Sequence, residues 1–129
     1  MRVPDSVANA MLDAVASGGP DRQVGLSVTP ITVTSSGLSG ITEPAGASYA
    51  RVALPASAWS AASGRTVQAS VVQFSAPAED WGTPVAYFLT DAAGVPEIPV
   101  KLIALNVAAG SSAVKVTPRI SSPMNVGDI

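Results

Sequence analysis

The run Val85-Ala86-Tyr87-Phe88-Leu89-Thr90-Asp91-Ala92-Ala93-Gly94 decides the fold class. Its first five residues are almost all apolar, as expected of a strand buried on both faces. Asp91 to Gly94 reads as a hairpin-like tip, since Asp accepts local N–H bonds and Gly allows positive φ. Downstream, residues 93–99 form a stiff, Pro-rich connection. Residues 100–107 read as a strand, with Lys101 in an otherwise apolar run. Residues 113–117 alternate, with Val114 and Val116 inward and Lys115 outward.

Upstream the same β character continues. Residues 66–74 read as one long strand, apolar at Val67, Ala69, Val71, Val72 and Phe74. The adjacent Val71 and Val72 break the alternation, which implies a bulge or burial on both sides. Residues 55–64 are a connection carrying Trp59. Residues 49–54 alternate, with Ala50, Val52 and Leu54 on one face. Residues 35–46 are Ser/Gly-rich and read as a loop. Residues 24–28 and 31–34 are short β-branched runs separated by Thr29-Pro30. About seven or eight short strands with turns between them predict a mainly β domain. The expected form is a single-domain antiparallel β-sandwich or jelly-roll-like barrel with a short N-terminal helix.

That helix is expected over residues 5–17. Asp5 or Ser6 can cap it, and Gly18-Gly19-Pro20 can end it, Gly through a left-handed cap. Val7, Met11, Leu12 and Val15 fall near one face at helical spacing and are expected to dock the helix. A helix this short is marginal alone and needs a partner surface. The expected organisation is therefore a helical arm over 1–20, a β-sandwich over 21–120 and a flexible C-terminal tail over 121–129.

Composition narrows the chemistry. The 129 residues include no Cys and no His, which excludes disulfides, thiolate or imidazole catalysis and zinc-finger sites. Seven basic and nine acidic residues leave a net charge of −2, which argues against nucleic acid as a partner. No stretch reaches the roughly 20 apolar residues of a membrane span. Apolar residues make up 47% of the chain, but 22 are Ala and 17 are Val, so the core is thin for its percentage. Only 12% of residues are charged, about half the usual share. Such an exterior must be covered by small polar residues or buried against partners.

The densest polar cluster is Glu79-Asp80-Trp81-Gly82. Adjacent carboxylates suit a hard cation, but strand neighbours point to opposite faces. The cluster reads better as a turn, with Trp81 as a packing anchor. Glu43, Asp80, Asp91 and Glu97 have no spacing that fixes an acid–base pair. Arg51 is open to three partners: a carboxylate on another subunit, solvent, or Glu43 or Asp80 within the chain. No glycine-rich phosphate loop is present, and Arg22, Arg65, Lys101, Lys115 and Arg119 are scattered. No cofactor, metal or catalytic residue is expected.

Two segments carry a resemblance. Thr42-Glu43-Pro44-Ala45-Gly46-Ala47-Ser48-Tyr49-Ala50-Arg51-Val52 is similar to a T-E-P-[SA]-G-G-G-Y-A-R-V pattern. Pro77-Ala78-Glu79-Asp80-Trp81-Gly82-Thr83, followed by Ala86 to Ala92, is similar to a P-x-A-x-x-D-W-G-T-V-T-H-x-x-I-F-D-A pattern. Both patterns occur in this order in small phage virion proteins, labelled tail fibre or minor capsid protein, especially in phages of actinobacteria. The chain departs from them where Pro84-Val85-Ala86 replaces the usual V-T-H.

The resemblance implies a non-enzymatic virion protein made in the host cytoplasm. The expected role is decoration of the capsid surface. Its partners would be the major capsid protein and further copies of itself, a trimer among the options. The other reading is a tail-fibre or tail-tip module that binds host glycan, with Trp59 and Trp81 as stacking candidates. Within this frame Asp80, Trp81 and Gly82 are expected to shape a packed corner. Tyr49 and Arg51 are expected to mark a strand near a subunit interface.

Overall fold

The strand expected at 85–89 forms over Ala86–Thr90, with all five residues buried. The computed structural model describes residues 3–101 and 107–121. Residues 102–106 of the expected strand 100–107, and residues 122–129 of the expected tail, lie outside these.

The protein is mainly β, with antiparallel strands and one helix among the described residues. The elements are α1 (Asp5–Val15), β1 (Arg22–Ser27), β2 (Thr32–Thr34), β3 (Gly37–Ser39), β4 (Val52–Leu54), β5 (Thr66–Gln68), β6 (Val72–Gln73), β7 (Ala86–Thr90), β8 (Pro96–Lys101), β9 (Lys115–Val116) and β10 (Arg119–Ser121). A 3₁₀ turn spans Ala56–Ala58. They gather into two compact units. One draws on Met1–Pro20, Pro55–Val71 and Thr117–Ile129, the other on Asp21–Leu54 and Val72–Val116. No helix among the described residues is long and apolar enough to cross a membrane.

The larger unit is built on a four-stranded sheet in the order β4-β1-β7-β8. The two central strands carry its core: Val24 and Leu26 on β1, and Tyr87, Phe88 and Leu89 on β7. Gly25 lies opposite Phe88 in the register. A Cβ at Gly25 would sit 2.3 Å from Phe88 Cζ, so the missing side chain is what lets the ring lie against β1. The 93–99 connection is instead largely strand β8. Its prolines are tolerated because β8 ends the sheet order, where a missing N–H interrupts no inner ladder. A bulge between Leu89↔Ile98 and Thr90↔Pro96 leaves Glu97 as the extra residue, and Glu97 pairs with Arg22. The tip at Asp91 forms as an Asx turn, its carboxylate accepting from Ala93 N and Val95 N at 2.9 Å each. The stretch 35–46 is not all loop. Ser35-Ser36 turns the chain so that β3 folds back on β2.

In the smaller unit α1 packs with β5. The buried helix positions are Ala8 and Leu12, and the C-cap residue Ala16 continues their stripe at i, i+4 and i+8. Of the four expected docking residues only Leu12 is buried. Val15 is half-buried, whereas Val7 and Met11 are 43% and 48% exposed. The physical reason is close approach: the alanines let the helix backbone come near its neighbours, which rotates the larger pair outward. Nor is the helix capped as expected. Pro4 is the N-cap with no side-chain cap bond, and Asp5 pairs with Arg65 instead. At the other end neither Gly18 nor Gly19 has positive φ. They serve closeness: a Cβ at Gly19 would stand 2.2 Å from Val15 O.

The expected long strand 66–74 divides into β5 and β6. Val71 is 60% exposed while Val72 is buried, so the broken alternation marks an interruption of the strand. Between β4 and β5, Trp59 bridges to Ala69, and Gly64 and Arg65 both adopt positive φ in a two-residue turn.

Candidate functional site

Two stretches with almost no regular secondary structure, residues 40–51 and 74–82, meet in the larger unit. They contain a connected cluster of polar and aromatic side chains. Ser48 is its node. Its hydroxyl donates to Glu79 Oε1 at 2.7 Å and accepts from Trp81 Nε1 and Ala78 N, each at 3.1 Å. That fills the one donor and two acceptor positions of a hydroxyl. Ser48 N also donates to Glu79 Oε1, at 2.8 Å. These hydrogen bonds hold the Glu79 carboxyl below the usual carboxylate pKa. Gly46, at φ +147°, leaves room for that carboxylate, since a Cβ there would stand 2.0 Å from Oε1.

Next to it lies an aromatic trio. Tyr49 stacks on Phe74 at 6.1 Å between centroids, and Trp81 meets Tyr49 edge-on at 5.4 Å and Phe74 at 6.5 Å. Offset-stacked and edge-to-face pairs are the favoured ring geometries. The Tyr49 hydroxyl accepts from Leu26 N at 3.0 Å and donates to Glu43 Oε1 at 2.8 Å. Burial pushes the phenol pKa well above its usual value; the Leu26 N–H opposes the rise, and the adjacent Glu43 reinforces it.

Glu43 is gripped from the other side by Arg51, Nε to Oε1 at 3.0 Å and Nη2 to Oε2 at 3.2 Å. This is a bidentate pair. Burial alone would raise the Glu43 pKa, but the hydrogen bonds from Arg51 and Tyr49 and the Arg51 charge outweigh it, so the net shift is downward. The Glu43 hydrogen bond in turn raises the Arg51 pKa. Arg51 Nη1 also donates to Gly94 O at 2.6 Å, and its guanidinium lies 5.1 Å from the Phe88 ring centroid. Of the two carboxylates within the chain open to Arg51, Glu43 is the one it takes.

The structure thus brings Tyr49, Arg51 and Trp81 together. Neither Tyr49 nor Arg51 lies in a strand, because β4 starts only at Val52. The alternation read at 49–54 fails because Tyr49 and Arg51 are held by side-chain bonds rather than by a ladder. Trp81 is 2% exposed. Trp81 N donates to Val107 O and Val107 N to Gly82 O, and Gly82 turns the chain at φ +80°. Asp80 Oδ1 accepts from Ala109 N at 2.8 Å. Glu79 and Asp80 therefore point to different partners, and no group of three metal-ligating side chains occurs among the described residues. Asp91 and Glu97 likewise have separate partners, the Asp91 turn and Arg22. Val7, Met11, Leu12 and Val15 belong to the other unit.

Sequence reasoning missed Ser48, Arg22 and Arg65. Arg22 is 6% exposed and donates to Thr90 O at 2.9 Å. Arg65 is 5% exposed and donates to Val3 O at 2.7 Å and Asp5 Oδ1 at 3.2 Å. The one available signal was scarcity: in a chain this poor in charge, each arginine is a candidate for a fixed internal partner. No protein-family model, curated protein or solved structure matches the chain.

Proposed function

We propose that the chain is a non-enzymatic structural component of a bacteriophage particle, a decoration protein that binds the major capsid protein on the head surface. One observation carries this reading. The two segments that resemble phage virion proteins fold onto one another, and their polar groups brace each other: Ser48 with Glu79 and Trp81, Tyr49 and Arg51 with Glu43. Groups engaged in this way shape a body rather than act on a substrate. The low charge content of the chain suits surfaces that face other subunits, since the buried centres of interfaces are depleted in charge.

The competing tail-tip reading requires an open aromatic face for a sugar to stack on. All six aromatic residues are described; five are buried and Tyr49 is half-buried. That weighs toward the capsid role.

The test is the particle itself. Purified virions carrying this chain are expected to hold hundreds of copies that stay with the heads when tails are removed. A handful of copies, found in the tail fraction, would overturn the capsid assignment.

A further inference from the structure

We propose that the free edge of β2 is the strand by which two copies of this chain join, antiparallel and two-fold symmetric about Val33.

The hairpin geometry exposes the necessary groups. β2 and β3 pair as Thr32↔Ser39, Val33↔Leu38 and Thr34↔Gly37 around the two-residue turn Ser35-Ser36. A turn that short makes Thr34–Gly37 a hydrogen-bonded pair, so Thr32–Ser39 is the next one and Val33–Leu38 is not. The Val33 N–H and C=O therefore point away from β3. Among the described residues β2 has no other strand partner, and Thr32, Val33 and Thr34 are all exposed, Val33 at 67%.

The sequence at this edge fits a second copy of itself. Thr32-Val33-Thr34 reads the same in both directions, so a two-fold axis through Val33 places Val33 opposite Val33 and each Thr32 opposite a Thr34. The two outward Val33 N–H groups then meet the two outward Val33 carbonyls. The result is a continuous four-stranded sheet in the order β3-β2-β2-β3. On one face it aligns Leu38, Val33, Val33 and Leu38, because cross-strand neighbours share a face.

β2 itself carries neither charge nor proline. Soluble proteins blunt exposed strands with charge or proline. β8 carries Pro96, Glu97 and Pro99, β9 carries Lys115 and β10 carries Arg119. By contrast, residues 23–42 contain no charged side chain, the longest such run in the chain. A shallow groove of about 370 Å³ beside the hairpin is lined by Leu38, Val95 and Pro96 together with Thr34, Ser36 and Ser39, again without a charge. Charge repulsion does not oppose the approach of a second copy here.

Because the chain has no cysteine, single-cysteine variants give a clean test on the purified protein, independent of any role in a particle. Paired residues of a hydrogen-bonded antiparallel pair have Cα atoms about 5.5 Å apart, within disulfide range. Val33→Cys is expected to oxidise rapidly to a covalent dimer, while Val71→Cys, comparably exposed but outside β2, oxidises at least tenfold more slowly. Sedimentation of the unmodified chain is expected to show a concentration-dependent dimer that Val33→Lys abolishes, with the thermal midpoint unchanged at dilutions where both chains are monomeric. Equal oxidation rates for the two cysteines, a unmodified chain that stays monomeric up to millimolar concentration, or a dimer that survives Val33→Lys would each overturn the proposal.

Discussion

Trp81 Nε1 donates to Ser48 Oγ at 3.1 Å, and the same hydroxyl donates to Glu79 Oε1 at 2.7 Å. One small side chain thus satisfies a buried indole and fixes a carboxylate. Ser48→Ala leaves the indole N–H unpaired in a buried site, which costs about 1–3 kcal/mol. Trp81→Ala removes the ring that meets both Tyr49 and Phe74, and should cost about 3–5 kcal/mol. Denaturant melts of the two variants check the order. A Ser48→Ala loss as large as that of Trp81→Ala would mean that the hydroxyl, not the ring, organises this corner.

Acid should loosen the same cluster. Glu43 and Glu79 both have folded pKa values below the ordinary carboxylate value of about 4.3. A lowered folded pKa stabilises the fold above the unfolded value, and that contribution is lost as pH falls through the folded one. Thermal midpoints should therefore hold steady down to about pH 5 and fall below about pH 4. Glu43→Gln and Glu79→Gln should each be less stable at neutral pH and show a shallower acid slope. Parallel slopes in variants and parent would place the acid sensitivity elsewhere.

Gly25 and Phe88 offer a packing test. A Cβ at Gly25 would stand 2.3 Å from Phe88 Cζ, far inside van der Waals contact. Gly25→Ala should destabilise by about 1–3 kcal/mol, because a well-packed core has no room to shift the ring. Phe88→Leu shortens the ring side of the clash, so the double variant should be less destabilised than the sum of the singles. Additive losses would show that the two positions do not touch.

Much of the fold was legible because burial leaves a mark on composition. A strand covered on both faces must be apolar throughout, and 85–89 was. The pieces that were hidden are those where a local rule is relaxed by position. Pro96 and Pro99 argue against a strand in general, yet β8 ends its sheet order, where the missing N–H does no harm. β3 is Gly37-Leu38-Ser39 and has little strand propensity; a tight turn holds it against β2. The site was legible in its residues but not in its wiring. Tyr49, Arg51 and Trp81 stood out by type, whereas Ser48 matters only because residues 78–81 come back to it, a contact no local pattern encodes.

The helix shows how size misleads. Val7 and Met11 are larger than Ala8 and Ala16, yet the alanines are buried and the larger pair is exposed. Leu12→Ala should therefore cost about 2–5 kcal/mol. Met11→Lys should change stability by no more than about 0.5 kcal/mol, since its side chain already meets solvent. Chemical denaturation of both variants separates the faces. A large loss for Met11→Lys would mean that the exposed face is covered in solution.

Arg65 combines an uncommon backbone with a buried charge. Its φ is +63°, a conformation that costs a non-glycine residue about 1–2 kcal/mol, and its guanidinium donates to Val3 O and Asp5. The side-chain bonds between the turn and the start of α1 are what hold it there, together with Asn9 Oδ1, which accepts from Arg65 N at 2.9 Å. Arg65→Ala and Arg65→Gly both delete the guanidinium, so both should lower stability. They differ only in the backbone: glycine adopts positive φ freely but gains freedom in the unfolded chain. The glycine variant should keep about 0.5–1 kcal/mol more of the stability than the alanine variant. Equal melting midpoints would mean that the turn relaxes out of positive φ once the side chain is gone, and that the arginine itself imposes the turn.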